Sequence, residues 1–206
     1  YFGNSPKGSL LIKKIDSETH EPLSDVEFMV TTADGTVVGD ANGKFVTDSA
    51  GTILIEGIDP GTTLVVKETR AKTGYELDDT PQTATIKAGQ TVTLEFRNTP
   101  QGCLLITKVD SVTRKPLSGV QFKIAGCNGC EYPAGTYTTD ANGLIKLSNI
   151  PAGCYSTTET KAAEGYLLNG TAQTVKVESG SCKEVTIANE PLGGLVIKKM
   201  DSVTKE

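Results

Sequence analysis

Apolar and polar residues alternate in short runs along this chain: Leu10–Ile15, Val26–Val30, Thr52–Ile55, Leu64–Glu68, Thr83–Ile86 and Val92–Asn98, with equivalent runs in the second half. Successive side chains of a strand point to opposite faces, so each run predicts a half-buried β-strand. Turn signals divide the runs: Ala33-Asp-Gly35, Asp40-Ala-Asn-Gly43, Asp59-Pro-Gly61, Lys87-Ala-Gly89, Asn142-Gly143, Pro151-Ala-Gly153 and Ser179-Gly180. No segment keeps a helical period between caps. About seven short strands at regular spacing predict an all-β, immunoglobulin-like sandwich.

The pattern then returns. Gly8-Ser-Leu-Leu-Ile-Lys-Lys-Ile-Asp-Ser17 becomes Gly102-Cys-Leu-Leu-Ile-Thr-Lys-Val-Asp-Ser111, and later Gly194-Leu-Val-Ile-Lys-Lys-Met-Asp-Ser202. In the same order Thr19, Pro22 and Leu23 match Thr113, Pro116 and Leu117, and Asp40-Ala-Asn-Gly43 matches Asp140-Ala-Asn-Gly143. Glu68-Thr69 with Gly74-Tyr75 matches Glu159-Thr160 with Gly165-Tyr166, and Asn98-Thr-Pro100 matches Asn189-Glu-Pro191. A repeat of roughly ninety residues is a whole domain rather than a solenoid unit. The expected organisation is a first sandwich over residues 1–100, a second over 101–192, and the opening strand of a third repeat over 193–206. The Pro-containing joints between repeats are short, which favours a semi-rigid rod.

A net charge of −5 and a pI near 5.1, without a basic cluster, exclude a nucleic-acid binder. No window is apolar for long enough to cross a bilayer, so no membrane insertion is expected of this segment. All five cysteines, Cys103, Cys127, Cys130, Cys154 and Cys182, fall in the second repeat. They are additions to a fold that the first repeat builds without them. One or two disulfides are expected, with one thiol left over. If the first two strands of repeat two form a hairpin centred on Val109 and Val120, Cys103 pairs with Cys127, and Cys130, Cys154 and Cys182 compete for a second bridge. The Cys127-Asn-Gly-Cys130 spacing lacks the second close pair of a zinc site and the helix of a redox motif, so neither a metal nor a cofactor is expected.

The chemistry lies where polar residues continue apolar stripes. Leu10, Ile12 and Lys14 share one strand face, as do Leu104, Ile106 and Lys108. Leu64, Val66 and Glu68 line up, as do Tyr155, Thr157 and Glu159. Val92, Leu94, Phe96 and Asn98 line up, as do Val185, Ile187 and Asn189. A Lys, a Glu and an Asn therefore face each core. A buried charge costs several kcal/mol unless paired or neutralised. One outcome is a noncovalent Lys–Glu pair capped by the Asn amide. The other is covalent: burial favours the neutral amine and the neutral acid, a neutral amine is a nucleophile, and an acid beside the carboxamide can shuttle protons.

The string around Lys108, Leu-Ile-Thr-Lys-Val-Asp-Ser-Val-Thr-Arg-Lys-Pro-Leu-Ser-Gly-Val-Gln-Phe, resembles the opening of CnaB-type (SpaA, prealbumin-like) domains of Gram-positive surface proteins and pilins. The segments Glu68–Tyr75 and Glu159–Tyr166 are similar to that family's Glu-Thr-x-Ala-Pro-x-Gly-Tyr, and Asn98 and Asn189 stand where it has its acceptor. The resemblance implies two tandem prealbumin-like sandwiches. It also implies self-formed Lys14–Asn98 and Lys108–Asn189 isopeptide bonds, with Glu68 and Glu159 as catalysts. The family's Pro is Lys72 in one repeat and Ala163 in the other. Thr107 stands at the position of Lys13, which leaves Lys14 as the equivalent of Lys108. Lys199 has the same context, but the third repeat's Glu and Asn do not follow within the sequence, so it is expected to be unreacted.

His20 is expected to be a solvated turn residue, and Glu76, Asp78 and Asp79 a charged loop. One His unmatched in the second repeat excludes a Ser/His/Asp set. The expected function is mechanical: a stalk segment of a secreted, wall-anchored Gram-positive adhesin or pilin-like protein, acting on no substrate, with neighbouring repeats as its partners. The alternative is an adhesin module that recognises a host matrix protein or glycan through its loops, with the insertion at 127–135 as the place to look.

Overall fold

The computed structural model describes residues 5–39 and 41–200, and every regular element in it is a strand. Asp40 of the predicted Asp40-Ala-Asn-Gly43 turn and residues 201–206 of the third repeat lie outside the described residues. The chain forms two compact units.

The first unit contains β1 (Gly8–Asp16), β2 (Glu27–Thr32), β3 (Lys44–Val46), β4 (Thr52–Ile58), β5 (Thr63–Arg70), β6 (Gln82–Thr85) and β7 (Thr91–Asn98). They make a three-stranded sheet, β4-β1-β7, and a four-stranded sheet, β3-β2-β5-β6. β1 lies between its partners, antiparallel to β4 and parallel to β7. First and last strands of the domain are thus hydrogen-bonded neighbours. Between the sheets Leu10, Ile12, Phe28, Val30, Leu64 and Val66 are fully buried. The burial of β1 alternates strictly, as its sequence predicts, with Leu10, Ile12, Lys14 and Asp16 all facing inward.

The second unit repeats the plan with β8 (Gly102–Asp110), β9 (Gln121–Cys127), β10 (Gly135–Thr138), β11 (Leu144–Ile150), β12 (Gly153–Lys161), β13 (Gln173–Val177) and β14 (Cys182–Asn189). The sheets are β11-β8-β14 and β10-β9-β12-β13. Leu104, Ile106, Phe122, Ile124 and Tyr155 are buried at its centre.

Two expectations are corrected. Strands one and two of a repeat do not form a hairpin. β1 and β2 belong to different sheets, because the connection between them crosses the sandwich and buries Leu23 and Val26 on the way. The partner of Asp140-Ala-Asn-Gly143 is Asp48-Ser-Ala-Gly51 rather than the identical string at Asp40. Asp48 and Asp140 each accept backbone N–H bonds two and four residues on, and the preceding Thr47 and Thr139 hydroxyls accept the N–H of Val26 and Val120, just before the second strand of each domain. Residues 192–200, where the sequence pattern begins a third time, are exposed and carry no strand pairing.

Candidate functional site

Each domain buries one lysine, one glutamate and one asparagine in contact. Lys14 projects from the central strand β1, Asn98 from the end of β7 beside it, and Glu68 from β5 in the facing sheet. Lys14 and Glu68 are 0% exposed and Asn98 is 1% exposed. The Lys14 Nζ lies 2.7 Å from Glu68 Oε2 and 2.5 Å from Asn98 Oδ1. The Asn98 Nδ2 donates to Glu68 Oε1 at 2.6 Å. Domain two repeats this: Lys108 Nζ is 2.8 Å from Glu159 Oε2 and hydrogen-bonds Asn189 Oδ1, while Asn189 Nδ2 donates to Glu159 Oε1 at 2.6 Å.

One oxygen of each glutamate therefore meets the amine and the other meets the amide. The Oε2 atoms of Glu68 and Glu159 accept no well-aligned hydrogen bond, although each has the lysine nitrogen against it. Burial pushes both lysines below the usual ammonium range, against the opposing hydrogen bond and charge of the glutamate. Lys13, on the other face of β1, is exposed.

The surroundings hold these groups in place. Phe28 and Phe122 sit directly across the ladder from Glu68 and Glu159. Phe28 packs on Phe96, and the Lys108 nitrogen stands 5.7 Å from the Phe122 ring centre. The ladder register shifts by one residue just after each glutamate, leaving Thr69 and Thr160 as the extra residues of β-bulges. A bulge re-aims the neighbouring side chain, and both threonine hydroxyls reach back to the partner strand. Each buried lysine donates its backbone N–H to a glycine carbonyl, that of Gly51 or Gly143. A Cβ on either glycine would fall within about 2.6 Å of that lysine's carbonyl oxygen, at a φ of +69° or +71°.

Two residues per domain went unassigned in the sequence. Asp16 and Asp110, two places after the lysines, are buried. Asp16 accepts N–H bonds from Glu18 and Thr19 and the Tyr75 hydroxyl at 2.9 Å. Asp110 accepts those of Val112 and Thr113 and the Tyr166 hydroxyl at 2.8 Å. Burial pushes Asp16 up, but these donors outweigh it and leave the carboxyl below its ordinary range. The Lys-x-Asp and Gly-Tyr strings are thus two halves of one latch. The inward period of β1 and its recurrence were the available signal.

The cysteines correct one pairing. Cys127 bonds Cys154 across the β9–β12 ladder, so it does not bridge Cys103, the second residue of β8 in the other sheet. Cys103 and Cys182 are each disulfide-bonded, and Cys130 is a free, half-buried thiol. His20 is exposed. Asp79 pairs with Lys67, Asp78 caps Thr80, and Lys199 is exposed.

One family model, SpaA, described as a prealbumin-like fold domain, matches residues 8–100 and again 102–191. Comparison with curated protein sequences gave no match. Among solved structures the chain is similar to the streptococcal ancillary pilin, with 19% identity and a TM-score of 0.54, over 92% of this chain and 64% of that one. It is also similar to the shaft pilin SpaA of Lactobacillus rhamnosus GG, with 16% identity and a TM-score of 0.51, over 92% and 100%. The Bacillus anthracis TIE protein is 29% identical with a TM-score of 0.45, over 91% of this chain and 34% of that one. The chain thus spans about a third of the TIE protein and under two thirds of the ancillary pilin. The likeness to the two pilins is one of fold.

Proposed function

The chain belongs, twice over, to the SpaA family of prealbumin-like domains, and on that premise we propose that it is a stalk segment of a Gram-positive cell-surface protein, pilin-like or adhesin, whose domains lock themselves covalently. The bonds are Lys14–Asn98 and Lys108–Asn189. The observation that carries this is the bridging of amine and amide by one buried glutamate, through separate oxygens, in both domains.

The lysine nitrogen, whose charged form burial disfavours, attacks the asparagine Cγ as the free amine. One oxygen of the glutamate gives a proton to the departing Nδ2 while the other takes one from Nζ. The Nζ–Cγ bond forms, the Cγ–Nδ2 bond breaks, and ammonia leaves. Contact within the folded core supplies the positioning that a bimolecular reaction lacks. The reaction happens once per domain and turns over no substrate.

A link between first and last strands joins the point where tension enters a domain to the point where it leaves. The intervening strands then carry no load. Peptide mapping tests the bonds: a branched peptide joining the Lys14 and Asn98 segments, and another joining those of Lys108 and Asn189, are expected. Only linear peptides at these positions would overturn the proposal.

A further inference from the structure

The insertion in domain two places three cysteines together. Cys127 and Cys154 form a disulfide, and all three sulfur-bearing residues are half-buried, within reach of solvent. Cys127-Asn-Gly-Cys130 is a two-residue turn. The Cys130 N–H donates to the Cys127 carbonyl at 3.1 Å, and Asn128 and Gly129 have φ of +51° and +87°. Positive φ at both central residues makes this a primed turn, with Cys127 and Cys130 facing each other across it. The Cα separation such a turn imposes lies in the range that a disulfide can span.

The seat of Cys130 is built into this domain alone. A Cβ on Gly153 would lie 2.7 Å from Cys130 Sγ, and one on Gly126 would lie 2.1 Å from the Cys130 carbonyl oxygen. Counting back from Glu159 and Glu68, the position of Gly153 is Thr62 in the first repeat. Counting on from Lys108 and Lys14, that of Gly126 is Thr32. Where the first repeat has two threonines, the second has the two glycines against which the free cysteine packs. The Asn128 side chain completes the group by donating Nδ2–H to Cys154 Sγ at 3.4 Å.

We propose that Cys127, Cys130 and Cys154 form a thiol–disulfide exchange centre in which Cys130 takes over Cys127 and releases Cys154. The Cys130 thiolate attacks Cys127 Sγ. A Cys127–Cys130 disulfide forms, the Cys127–Cys154 bond breaks, and its electron pair leaves on Cys154 Sγ, where the Asn128 N–H meets the new thiolate. The proton lost from Cys130 is regained at Cys154. No oxidant is needed, since one disulfide replaces another. The exchange frees β12 from the insertion and turns the insertion into a self-closed loop. The emerging Cys154 thiol makes this a site for mixed disulfides with small extracellular disulfides.

The test uses the whole chain. The protein is held at about pH 8, where free thiols ionise appreciably, then quenched in acid, denatured and alkylated with N-ethylmaleimide before nonreducing peptide mapping. The expected label divides between Cys130 and Cys154, with Cys127 found bonded to each in turn. In Asn128→Ala the Cys154 share falls several-fold. In Cys130→Ser no label appears on Cys154 although the domain keeps its Cys127–Cys154 bond. Label confined to Cys130 after prolonged incubation would overturn the proposal. So would label spread over Cys103 and Cys182 as well, since that is general scrambling.

Discussion

The Tyr75 hydroxyl donates to Asp16 Oδ2 at 2.9 Å, tying the segment after β5 to the end of the strand that carries Lys14. Asp16 is 4% exposed and has its other oxygen occupied by two backbone N–H groups. Tyr75→Phe removes the phenol and leaves Oδ2 short of a donor inside the protein. An unmet hydrogen bond to such a group costs about 1–3 kcal/mol. Measured by urea denaturation in a Glu68→Ala background, where no cross-link masks the effect, Tyr75→Phe is expected to lose that much. Tyr166→Phe should act in the same direction in domain two.

The same contact sets a pH dependence. Burial, then the Asp16 carboxylate, pushes the Tyr75 phenol up to about 12 from an ordinary value of 10.0. The folded state therefore favours the neutral phenol. The stability this contributes is complete below pH 10 and is lost as pH rises toward about 12. Ultraviolet titration of the first domain should show a tyrosine ionising near 12, and Tyr75→Phe should remove that step. An unchanged titration curve in the variant would contradict the latch.

Gly143 carries φ +71° and would place a Cβ 2.5 Å from the Lys108 carbonyl oxygen. Gly143→Ala must therefore shift the strand bearing Lys108 or distort the turn. Strain of this kind costs on the order of 1–3 kcal/mol. The variant is expected to form the Lys108–Asn189 bond more slowly than wild type while the Lys14–Asn98 bond forms at its usual rate. Peptide mapping at intervals after cell-free synthesis, when the bonds have yet to form, separates the two domains.

The lysine–glutamate–asparagine set was legible because strand period two puts each polar residue on an apolar stripe, and because the stripes recur. Lys14 is told from Lys13 by the same logic, and the exposure of Lys13 agrees with it. What the sequence could not convey depended on which strands become neighbours. The Cys127–Cys154 pairing requires β9 to lie beside β12 rather than β8. The Asp16–Tyr75 latch requires the segment after β5 to return to the foot of β1. β3 is three residues long and mostly exposed, so it leaves almost no alternation to read. An identical tetrapeptide at Asp40 outweighed the weaker but structurally equivalent string at Asp48.

The proposed Lys14–Asn98 cross-link would close a loop across a sequence separation of 84. In the chain-entropy account a loop of that size stabilises the fold by about 4–5 kcal/mol. Asn98→Ala removes the acceptor, so the first domain should unfold at markedly lower urea while the second is unaffected. Reducing agent separates this link from the disulfides: it should leave the wild-type first domain unchanged and lower only the second. A first domain that loses stability on reduction would contradict this.

The most direct test of self-locking is the intact mass of the whole chain under denaturing, reducing conditions, beside a Glu68→Ala/Glu159→Ala double variant. Wild type is expected to be lighter than its sequence by two molecules of ammonia, and the double variant to match its own sequence mass. A wild-type mass equal to that of its sequence would contradict the account, leaving each Lys–Glu–Asn cluster a buried noncovalent contact.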